Sequence, residues 1–295
     1  MKSRCAAIIV EYRSAARTIA CVASLAGQGL EEIVIVDNSD DGRLTFDALA
    51  RGLGHDPRVT LLDAGGNLGF AAGINRGLAR LPVGHGRVLV INNDAVAPSG
   101  LVARLSTALD AAPEACIAFP ALVHAGAPLG EIHYHRWFAL LLSRPWPGTF
   151  CVPRGCCMLV DRQRLPRERL FDEDFFMYGE EIQLGWSLRD RPGALVFVGD
   201  CEVTHEGSAA AGMGSPFYEE RTALAHVLLT SKLANGNRLL LIALFVARHG
   251  SLLARALLRS LRARSGLPVM AYANACALAR RGSTGLAGTT AKPPP

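Results

Sequence analysis

Long apolar runs are missing from this sequence. The longest run in its C-terminal part, residues 239–247, has nine residues, whereas a helix that crosses a bilayer needs about 20. At the other end, Lys2 and Arg4 precede only a short apolar stretch before Glu11, which predicts no signal peptide. We therefore expect a cytoplasmic protein, and a peripheral position at the inner face of a membrane stays open.

Paired cysteines are also missing. None of the eight cysteines forms a CxxC pair, and cysteines scattered through a chain of this length are usually buried thiols. The adjacent Cys156 and Cys157 would point to opposite faces of a strand, which favours packing over redox chemistry. The cysteine pattern predicts a reducing, cytosolic environment.

Acidic residues are absent from Arg221 to the C terminus, where the sequence has 11 lysines and arginines. The preceding residues carry 20 basic and 26 acidic side chains, so the asymmetry predicts an anionic partner for the C-terminal part. Two interpretations stay open. A basic helix at residues 252–264 would bind an anionic membrane surface, or residues 239–247 would pack on the rest of the protein or in a homodimer. An acidic body without a nucleic-acid motif argues against nucleic-acid binding.

The composition itself is that of a globular protein, with 295 residues of which 50% are hydrophobic and 19% charged. Short apolar runs alternate with helical patterns over the first 120 residues. This alternation predicts an α/β fold with a mostly parallel central sheet and helices on both faces. Residues 121–150 have no clear period and are interpreted as a loop-rich insertion, and helical patterns return from Tyr218. Strands are predicted at residues 6–10, 33–36, 59–62, 88–91, 156–160 and 194–198, and helices at 15–25, 70–81, 101–111 and 180–189.

Polar side chains follow three of the predicted strands. Ligands of open α/β sheets bind at the carboxyl ends of the strands, so three polar clusters on one sheet edge favour a ligand site. Each cluster alone is equally consistent with turn residues and helix caps. The clusters are Glu11-Tyr12-Arg13, Asp37-Asn38 and Asn92-Asn93-Asp94.

Residues 67–77 place two glycines around the start of a predicted helix. Free backbone N–H groups at such a start can meet a phosphate or a base. The sequence has neither a GxGxxG run after its first strand nor a GxxxxGK[ST] loop. Dinucleotide and P-loop interpretations therefore lose their main support.

A few acidic residues and one histidine are suited to catalysis. Asp94 at the end of a buried strand suits a divalent cation shared with a diphosphate. Glu180 and Glu181 are adjacent carboxylates at a predicted helix start, where the helix dipole alone would explain them. The functional alternative is a general base, because one carboxylate can hold up the pKa of the other. His205 is either a metal ligand or a loop histidine.

Four segments, in this order, resemble a family 2 inverting glycosyltransferase of the rhamnosyltransferase-like bacterial branch. They are residues 36–42, 67–77, 92–94 and 171–186, the last reading FDEDFFMYGEEIQLGW, and residues 203–207 fit as well. The resemblance implies a nucleotide-diphospho-sugar transferase fold of the GT-A type with a C-terminal helical extension. The domains expected are a catalytic domain at residues 1–217, a basic helical extension at 218–281 and a disordered tail at 282–295.

The resemblance also implies residue roles. Glu181 matches the acidic residue that acts as base, and Glu180 matches its acidic neighbour. Asp94 and His205 match positions that bind a divalent cation, Mg²⁺ or Mn²⁺. The implied nucleotide-sugar site consists of Glu11, Tyr12, Arg13, Asp37, Asn67, Gly73, Asn75, Asn92, Asn93, Asp94, Gly155 and Cys156.

The implied reaction moves a sugar, rhamnose or another hexose, from a nucleoside-diphosphate sugar to an acceptor hydroxyl with inversion. The acceptor would be a glycan, a lipid-linked sugar or a small molecule, in the synthesis of a cell-surface glycan or a natural-product glycoside. The alternative is a non-catalytic binding protein with the same fold. Four positions motivate this alternative because they depart from the residues usual in the family: Glu11, Arg13, Gln183 and Ser187.

Overall fold

The computed structural model describes residues 4–82, 84–124, 126–205 and 214–281. The chain forms two compact units. The first consists of Met1–Glu131, Pro153–Asp172 and Leu188–Gly207, and the second of Ile132–Val152, Glu173–Ser187 and Ser208–Pro295. The chain passes between the units several times, whereas the predicted domain boundaries follow chain order and stay a prediction. The predicted disordered tail at residues 282–295 lies outside the described residues.

The helices and strands confirm most of the predicted elements of the first unit. Helix α2, the eight-residue strand β6 and the short strands β5 and β7 were not predicted. In chain order the elements are β1 Cys5–Glu11, α1 Ala15–Ser24, β2 Glu32–Asp37, α2 Leu44–Leu53, β3 Val59–Asp63, α3 Phe70–Arg80, β4 Arg87–Ile91, β5 Ala95–Val96, α4 Leu101–Ala111, β6 Ile117–His124, β7 Ala127–Leu129, β8 Ile132–His135, β9 Leu140–Leu142, β10 Thr149–Val152, β11 Cys157–Asp161, α5 Glu180–Leu188, β12 Leu195–His205, α6 Pro216–Ala234, α7 Arg238–Ala263 and α8 Leu267–Arg281.

The first unit is built on one sheet whose strand order is β3-β2-β1-β4-β11-β6-β12-β5, with β7 paired to β6. Strands β1 to β4 pair in parallel. Strand β11 runs antiparallel to β4 and β6, while β6 and β12 are again parallel. This topology confirms the predicted α/β class with a mostly parallel sheet.

Helices cover both faces of this sheet, which explains why its strands are apolar at consecutive positions. Ile9 belongs to a core that includes buried residues of α1, α2 and α4. Ile8 points to the opposite face, where a Cβ atom added at Gly77 of α3 would lie 2.6 Å from its Cγ2 atom. Both isoleucines are fully buried, and burying such a side chain stabilises the fold by about 1.5–3 kcal/mol.

The second unit contains a small sheet where the sequence predicted a loop-rich insertion, so that prediction is wrong for part of residues 121–150. Strands β8, β9 and β10 pair antiparallel in the order β10-β8-β9. Tyr134 of β8 is fully buried, and its ring centre lies 5.7 Å from that of Phe150 on β10. Strands of three or four residues, separated by turns, are too short to reveal a two-residue period in the sequence.

One continuous helix, α7, replaces the two separate segments that were predicted at residues 239–247 and 252–264. Asn237 caps its start, since its side-chain oxygen accepts a hydrogen bond from the backbone N–H of Leu240 at 3.0 Å. Among the described residues, α7 is the helix long and apolar enough to cross a membrane by length and composition. The analysis of apolar runs missed this length because Arg248 and Gly250 interrupt the run.

The inward side of α7 carries a fully buried arginine. The Arg248 guanidinium donates to the Tyr134 hydroxyl and the Thr230 hydroxyl, each at 3.0 Å. It also donates to the backbone oxygens of Arg136 and His226 at 2.7 and 2.8 Å. The Tyr134 hydroxyl lies 2.8 Å from Nδ1 of His226. Because Tyr134 accepts from Arg248, its own proton is available to the neutral His226 ring.

We expect the second unit to lose stability as the pH falls below about 6.5. Burial and the charges of Arg248 and Arg255 lower the pKa of His226 to about 3, whereas an unfolded histidine has a pKa of about 6.5. Between these values the unfolded chain binds the proton and the folded chain does not. Each pH unit of acidification therefore lowers the unfolding free energy by up to about 1.4 kcal/mol.

All three tryptophans of the chain lie in the second unit, so tryptophan fluorescence reports its unfolding. Urea unfolding at pH 7 and at pH 5 measures the expected loss. The His226→Gln variant lacks the titrating ring and should lose stability less steeply over the same interval. An equally steep loss in this variant would assign the effect to other groups.

Candidate active site

The carboxyl ends of β1, β2 and β4 lie at one edge of the first unit's sheet. Glu11 pairs with Asp37 in the parallel register of β1 and β2, and the backbone N–H of Asn38 donates to the Glu11 carbonyl oxygen at 2.9 Å. Strands β1 and β4 pair in parallel, with Ile8 opposite Val90. The structure therefore brings the three predicted polar clusters to the same edge.

Glu11 is buried within this edge. Its carboxylate accepts hydrogen bonds from the backbone N–H of Ser14, from the Thr18 hydroxyl and, at 2.8 Å, from Nδ2 of Asn93. Burial raises the pKa of Glu11, whereas the hydrogen bonds from these three donors lower it because they stabilise the charged carboxylate. The side chain holds the start of α1 and Asn93 in place. The nucleotide contact predicted for Glu11 stays a prediction that these contacts do not support.

Tyr12 and Arg13 form an accessible polar pair at the end of β1. The Arg13 guanidinium pairs with the Asp40 carboxylate and donates to the Asp40 carbonyl oxygen at 3.2 Å. The Tyr12 hydroxyl lies 3.3 Å from the same carboxylate, and the guanidinium carbon lies 5.3 Å from the Tyr12 ring centre. The Tyr12 ring can stack on a nucleotide base, and the Arg13 guanidinium beside it can pair with a phosphate.

Asp37 and Asn38 shape the turn that follows β2. The Asp37 carboxylate accepts from the backbone N–H of Ser39 at 2.9 Å, and burial raises the pKa of Asp37. The Asn38 side-chain amide donates to the carbonyl oxygen of Gly69 at 2.8 Å. This bond ties the end of β2 to the start of α3.

The start of α3 depends on a glycine and an asparagine. Gly69 has a φ angle of +83°, which favours glycine, and its N–H donates to the side-chain oxygen of Asn67 at 3.0 Å. A Cβ atom added at Gly73 would lie 2.9 Å from a methyl carbon of Val10 and 3.1 Å from the side-chain nitrogen of Asn38. Gly73 therefore allows α3 to pack closely on the sheet.

Asn75 joins α3 to the segment before residue 172. Its side-chain nitrogen donates to the Phe171 carbonyl oxygen at 2.8 Å, and its oxygen accepts from the N–H groups of Leu170 and Phe171 at 3.1 Å. Both the nitrogen and the oxygen of the Asn75 side chain are therefore hydrogen-bonded to backbone groups. The contacts of Gly73 and Asn75 support packing roles, and the nucleotide contacts predicted for them stay predictions.

Asp94 and His205 come together through a strand pair that the sequence did not reveal. Strand β5 runs antiparallel to the end of β12, which places His205 opposite Ala95. Nε2 of His205 lies 3.1 Å from the Asp94 carboxylate and 3.2 Å from the side-chain nitrogen of Asn92. The two predicted metal ligands are therefore neighbours.

Gly155 and Cys156, the predicted donor-side segment, lead into β11 next to this pair. The Cys156 carbonyl oxygen accepts from the backbone N–H of Asn92 at 2.8 Å, and Cys157 lies opposite Ile91 in the antiparallel register. Both Gly155 and Cys156 are buried. Their backbone therefore borders the turn that carries Asp94.

The arrangement of Asp94 and His205 fits a divalent cation. Two adjacent ligands of an octahedral ion with bonds of about 2.1 Å lie about 3.0 Å apart, and Oδ1 of Asp94 lies 3.1 Å from Nε2 of His205. The buried side-chain oxygen of Asn92 has no hydrogen-bond partner among the described residues, so another hard ligand atom is available beside them. The described residues hold no group of three His, Cys, Asp or Glu side chains around one point. A diphosphate and water would complete the coordination, as is common for Mg²⁺.

The candidate base belongs to the second unit. Glu180 and Glu181 begin α5. Glu180 is buried, and its burial, together with the charge of Glu181 and a hydrogen bond to it, holds the pKa of Glu180 far above its ordinary value. Glu181 is only half-buried. Burial therefore favours the protonated form of Glu180, and Glu181 is the carboxyl group of the pair that solvent reaches.

Two acidic residues of the sheet edge, Asp40 and Asp63, were assigned no role from the sequence, although Asp40 lies in the matching segment 36–42. Asp63 ends β3, lies opposite Asp37 in the parallel register and pairs with Arg43. Polar residues at the end of a buried strand marked the other clusters. The same criterion, applied to the third strand, would have identified Asp63. Asp40 joins the site through its contact with Arg13, a contact between two loops that no local pattern predicts.

The fold is that of GT-A glycosyltransferases. The crystal structure of GalNAc-T7 with UDP, GalNAc and Mn²⁺ matches with a TM-score of 0.58 and 14% identity, over 75% of this chain and 47% of that chain. The mannosyltransferase PcManGT from Pyrobaculum calidifontis, in complex with GDP-Man and Mn²⁺, matches with a TM-score of 0.57 and 18% identity, over 98% and 79%. At these identities the likeness shows the fold, and it confirms the predicted GT-A class.

The family follows from the sequence itself. The model of the family described as glycosyltransferase like family 2 matches residues 3–221, which is most of the chain. This protein therefore belongs to glycosyltransferase family 2, as its motifs predicted.

Two relatives with assigned functions are similar at low identity. The low-salt glycan biosynthesis hexosyltransferase Agl10 of Haloferax volcanii is 27% identical over 186 residues, which cover 59% of this chain and 58% of that protein. The N-acetylglucosaminyl-diphospho-decaprenol L-rhamnosyltransferase of Mycobacterium tuberculosis is 26% identical over 224 residues, which cover 64% and 71%. The chain thus spans less than two thirds of the Haloferax relative.

Proposed function

We propose that this protein transfers a hexosyl group from a nucleoside-diphosphate sugar to an acceptor hydroxyl, with inversion and with the help of a divalent cation. The observation that carries the proposal is the pairing of Asp94 with His205 at the sheet edge that also presents Tyr12 and Arg13. Two residues suited to a metal, at the same sheet edge as an aromatic ring and a guanidinium, suit the diphosphate and the base of a nucleotide sugar. The two hexosyl-transferring relatives support the same reaction.

Glu181 is the proposed general base. It takes the proton of the acceptor hydroxyl, and the acceptor oxygen forms a bond to the anomeric carbon while the bond to the diphosphate oxygen breaks. The electron pair of the broken bond leaves with the nucleoside diphosphate. One displacement inverts the configuration and needs no covalent intermediate on the protein. Burial favours the uncharged form of Glu180, which limits the negative charge beside the base.

The donor side is proposed to depend on the turn that carries Asp94. Asp94 and His205 would hold the cation, with the free oxygen of Asn92 beside them. When bound, the cation would neutralise charge on the departing diphosphate. Glu11 fixes this turn through its 2.8 Å hydrogen bond with Asn93, which makes it a positioning residue.

A lipid-linked sugar is the acceptor that we favour. The Mycobacterium relative is named for a diphospho-decaprenol acceptor, and the Haloferax relative is named for glycan biosynthesis. Cell-surface glycan synthesis on the cytoplasmic side of a membrane is therefore the proposed setting.

Donor binding to the full chain tests this proposal by calorimetry. The panel is dTDP-rhamnose, UDP-glucose, UDP-galactose, UDP-N-acetylglucosamine and GDP-mannose, each with and without Mn²⁺. We expect one nucleotide class to bind, more tightly with the metal than without it. The Asp94→Asn variant should remove the metal dependence and weaken binding by about 10–100-fold. Asp47→Asn, which changes an exposed acid on α2, is the matched control.

Release of nucleoside diphosphate in the presence of an acceptor sugar then separates transfer from binding. Metal-dependent binding without release for any acceptor would favour the non-catalytic binding protein. An Asp94→Asn variant that binds as tightly as the control, with the metal effect intact, would contradict the proposed metal site.

A further inference from the structure

One face of α7 is apolar and exposed along the whole helix. Six side chains on this face recur every three or four residues, or every seven across Gly250, so they share one side of the helix. Charged residues do not occur among them. Leu239 is 80% exposed and Leu261 is 75% exposed, so the surface extends from end to end. We call this surface the outer face of α7; it consists of Leu239, Ile242, Val246, Leu253, Leu257 and Leu261.

The outer face is long enough to be a binding surface. Leu239 and Leu261 are about 33 Å apart along the helix axis at 1.5 Å per residue. Isolated exposed apolar side chains are ordinary on protein surfaces, but a continuous stripe of this length marks an interaction site.

The opposite side of α7 anchors the helix to the second unit. Leu244, Arg248, Leu252 and Ala256 are buried at intervals of four residues, and Arg248 makes the hydrogen bonds described above. Farther along, Arg259 pairs with the buried Glu219 of α6. One of the two interpretations of residues 252–264 had the arginines face a membrane. Arg255 and Arg259 lie on the anchored side, so the leucines face outward.

This anchoring argues that α7 lies on a surface and does not cross one. A spanning helix would carry Arg248, Arg255 and Arg259 into hydrocarbon, where each arginine is strongly unfavourable. It would also break the hydrogen bonds of Arg248 to Tyr134 and to the backbone. A helix with one apolar exposed face suits the interface between headgroups and acyl chains.

Exposed arginines lie near both ends of the outer face. Arg238 begins α7, and Arg262 and Arg264 are at its end. Arg280 and Arg281 end α8 and are also exposed. No acidic residue occurs between Arg221 and the C terminus. A second copy of this chain would bring like charges together, whereas an anionic lipid surface complements them.

We propose that the outer face of α7 docks on an anionic lipid bilayer, with the apolar side chains among the acyl chains and the flanking arginines on the lipid phosphates. The helix would lie in the plane of the membrane surface. This inference goes beyond sugar transfer and does not need it, although a lipid-linked acceptor would be met at the same surface.

Vesicle co-sedimentation of the full chain tests the docking proposal without donor or acceptor. The vesicles are phosphatidylcholine alone, and phosphatidylcholine with phosphatidylglycerol. We expect binding to the anionic vesicles that weakens as salt is added. The triple variant Val246→Gln, Leu253→Gln, Leu257→Gln should bind about tenfold more weakly or worse, because three apolar side chains no longer insert.

Two matched variants separate the apolar and the electrostatic contributions. Leu44→Gln, Leu129→Gln, Leu141→Gln changes three exposed leucines elsewhere and should bind like the unchanged protein. Arg262→Gln, Arg264→Gln, Arg280→Gln should weaken binding by about a hundredfold, at about fivefold for each arginine. Tryptophan fluorescence and circular dichroism confirm that each variant is folded.

Three outcomes would overturn the docking proposal. The first is an outer-face variant that binds vesicles like its matched control. The second is equal binding to neutral and anionic vesicles. The third is a dimer in light scattering that the outer-face variant abolishes while vesicles are not bound, which would assign the face to a second copy. Donor calorimetry on the same variants keeps this test separate from the proposed transferase reaction.

Discussion

Replacing Glu181 with Gln is expected to reduce sugar transfer by about 10²–10⁴-fold, the range typical for loss of a general base. The glutamine side chain keeps the size of glutamate but does not take the proton of the acceptor hydroxyl. Donor binding should remain, with its dependence on the metal. The measurements are nucleoside diphosphate release at saturating donor and, separately, donor affinity by calorimetry.

Two companion variants decide whether this effect belongs to proton transfer. Glu173→Gln changes an exposed acid of the same segment and should leave turnover close to that of the unchanged protein. Glu180→Gln mimics the protonated form that burial favours. It should cost less activity than Glu181→Gln and should leave the acid limb of the pH–rate profile close to its original position, because an uncharged amide replaces an uncharged carboxyl. If Glu180→Gln were the more damaging change, the two roles would be exchanged.

The parallel sheet and its functional edge could be predicted because burial on both faces leaves a clear mark on the sequence. Residues 33–36 are apolar at every position, which a strand requires only when helices cover both of its faces. Polar residues then begin where the sheet ends, so Asp37 and Asn92 marked the same edge. The rule that ligands bind at the carboxyl ends of parallel strands works here because it depends on chain direction and not on side-chain orientation.

Side-chain direction is what the sequence did not reveal. Glu11 and Arg13 both follow the first strand, yet Glu11 turns inward to Asn93 while Arg13 stays at the surface with Asp40. Asn75 was grouped with the ligand site, but its amide is used on the backbone of Phe171. A polar residue next to a turn can face either way, and the choice depends on tertiary partners far away in the chain.

The helix α7 shows the same limit on a larger scale. A helical period separates an apolar face from a basic one, but it does not say which of them packs on the protein. Arg262 and Arg264 are exposed, as predicted for the arginines of residues 252–264, whereas Arg248, ahead of that segment, is fully buried and Leu257 is exposed. The buried arginine is stabilised here because separate elements supply its hydrogen-bond acceptors, which come from Tyr134, Arg136, His226 and Thr230.

Replacing Arg248 with Met is accordingly expected to cost the second unit about 2–5 kcal/mol of unfolding free energy. The change removes the desolvation penalty of a buried charge, but it leaves the carbonyl oxygens of Arg136 and His226 without their donor. Each buried polar group left unsatisfied costs about 1–3 kcal/mol, and breaking a buried charged network costs about 3–5 kcal/mol. The cost of leaving these carbonyl oxygens without hydrogen bonds is therefore expected to exceed the gain from removing the buried charge.

Urea unfolding followed by tryptophan fluorescence measures this loss, because all three tryptophans lie in the unit that Arg248 holds together. Arg262→Met on the same helix is the matched control. Arg262 is exposed, so its replacement should change stability by less than about 0.5 kcal/mol. Amide exchange along α7 should also accelerate in Arg248→Met and not in the control. Equal stabilities of the two variants would mean that apolar packing alone anchors α7. The outward orientation of its leucines would then not depend on the buried arginine.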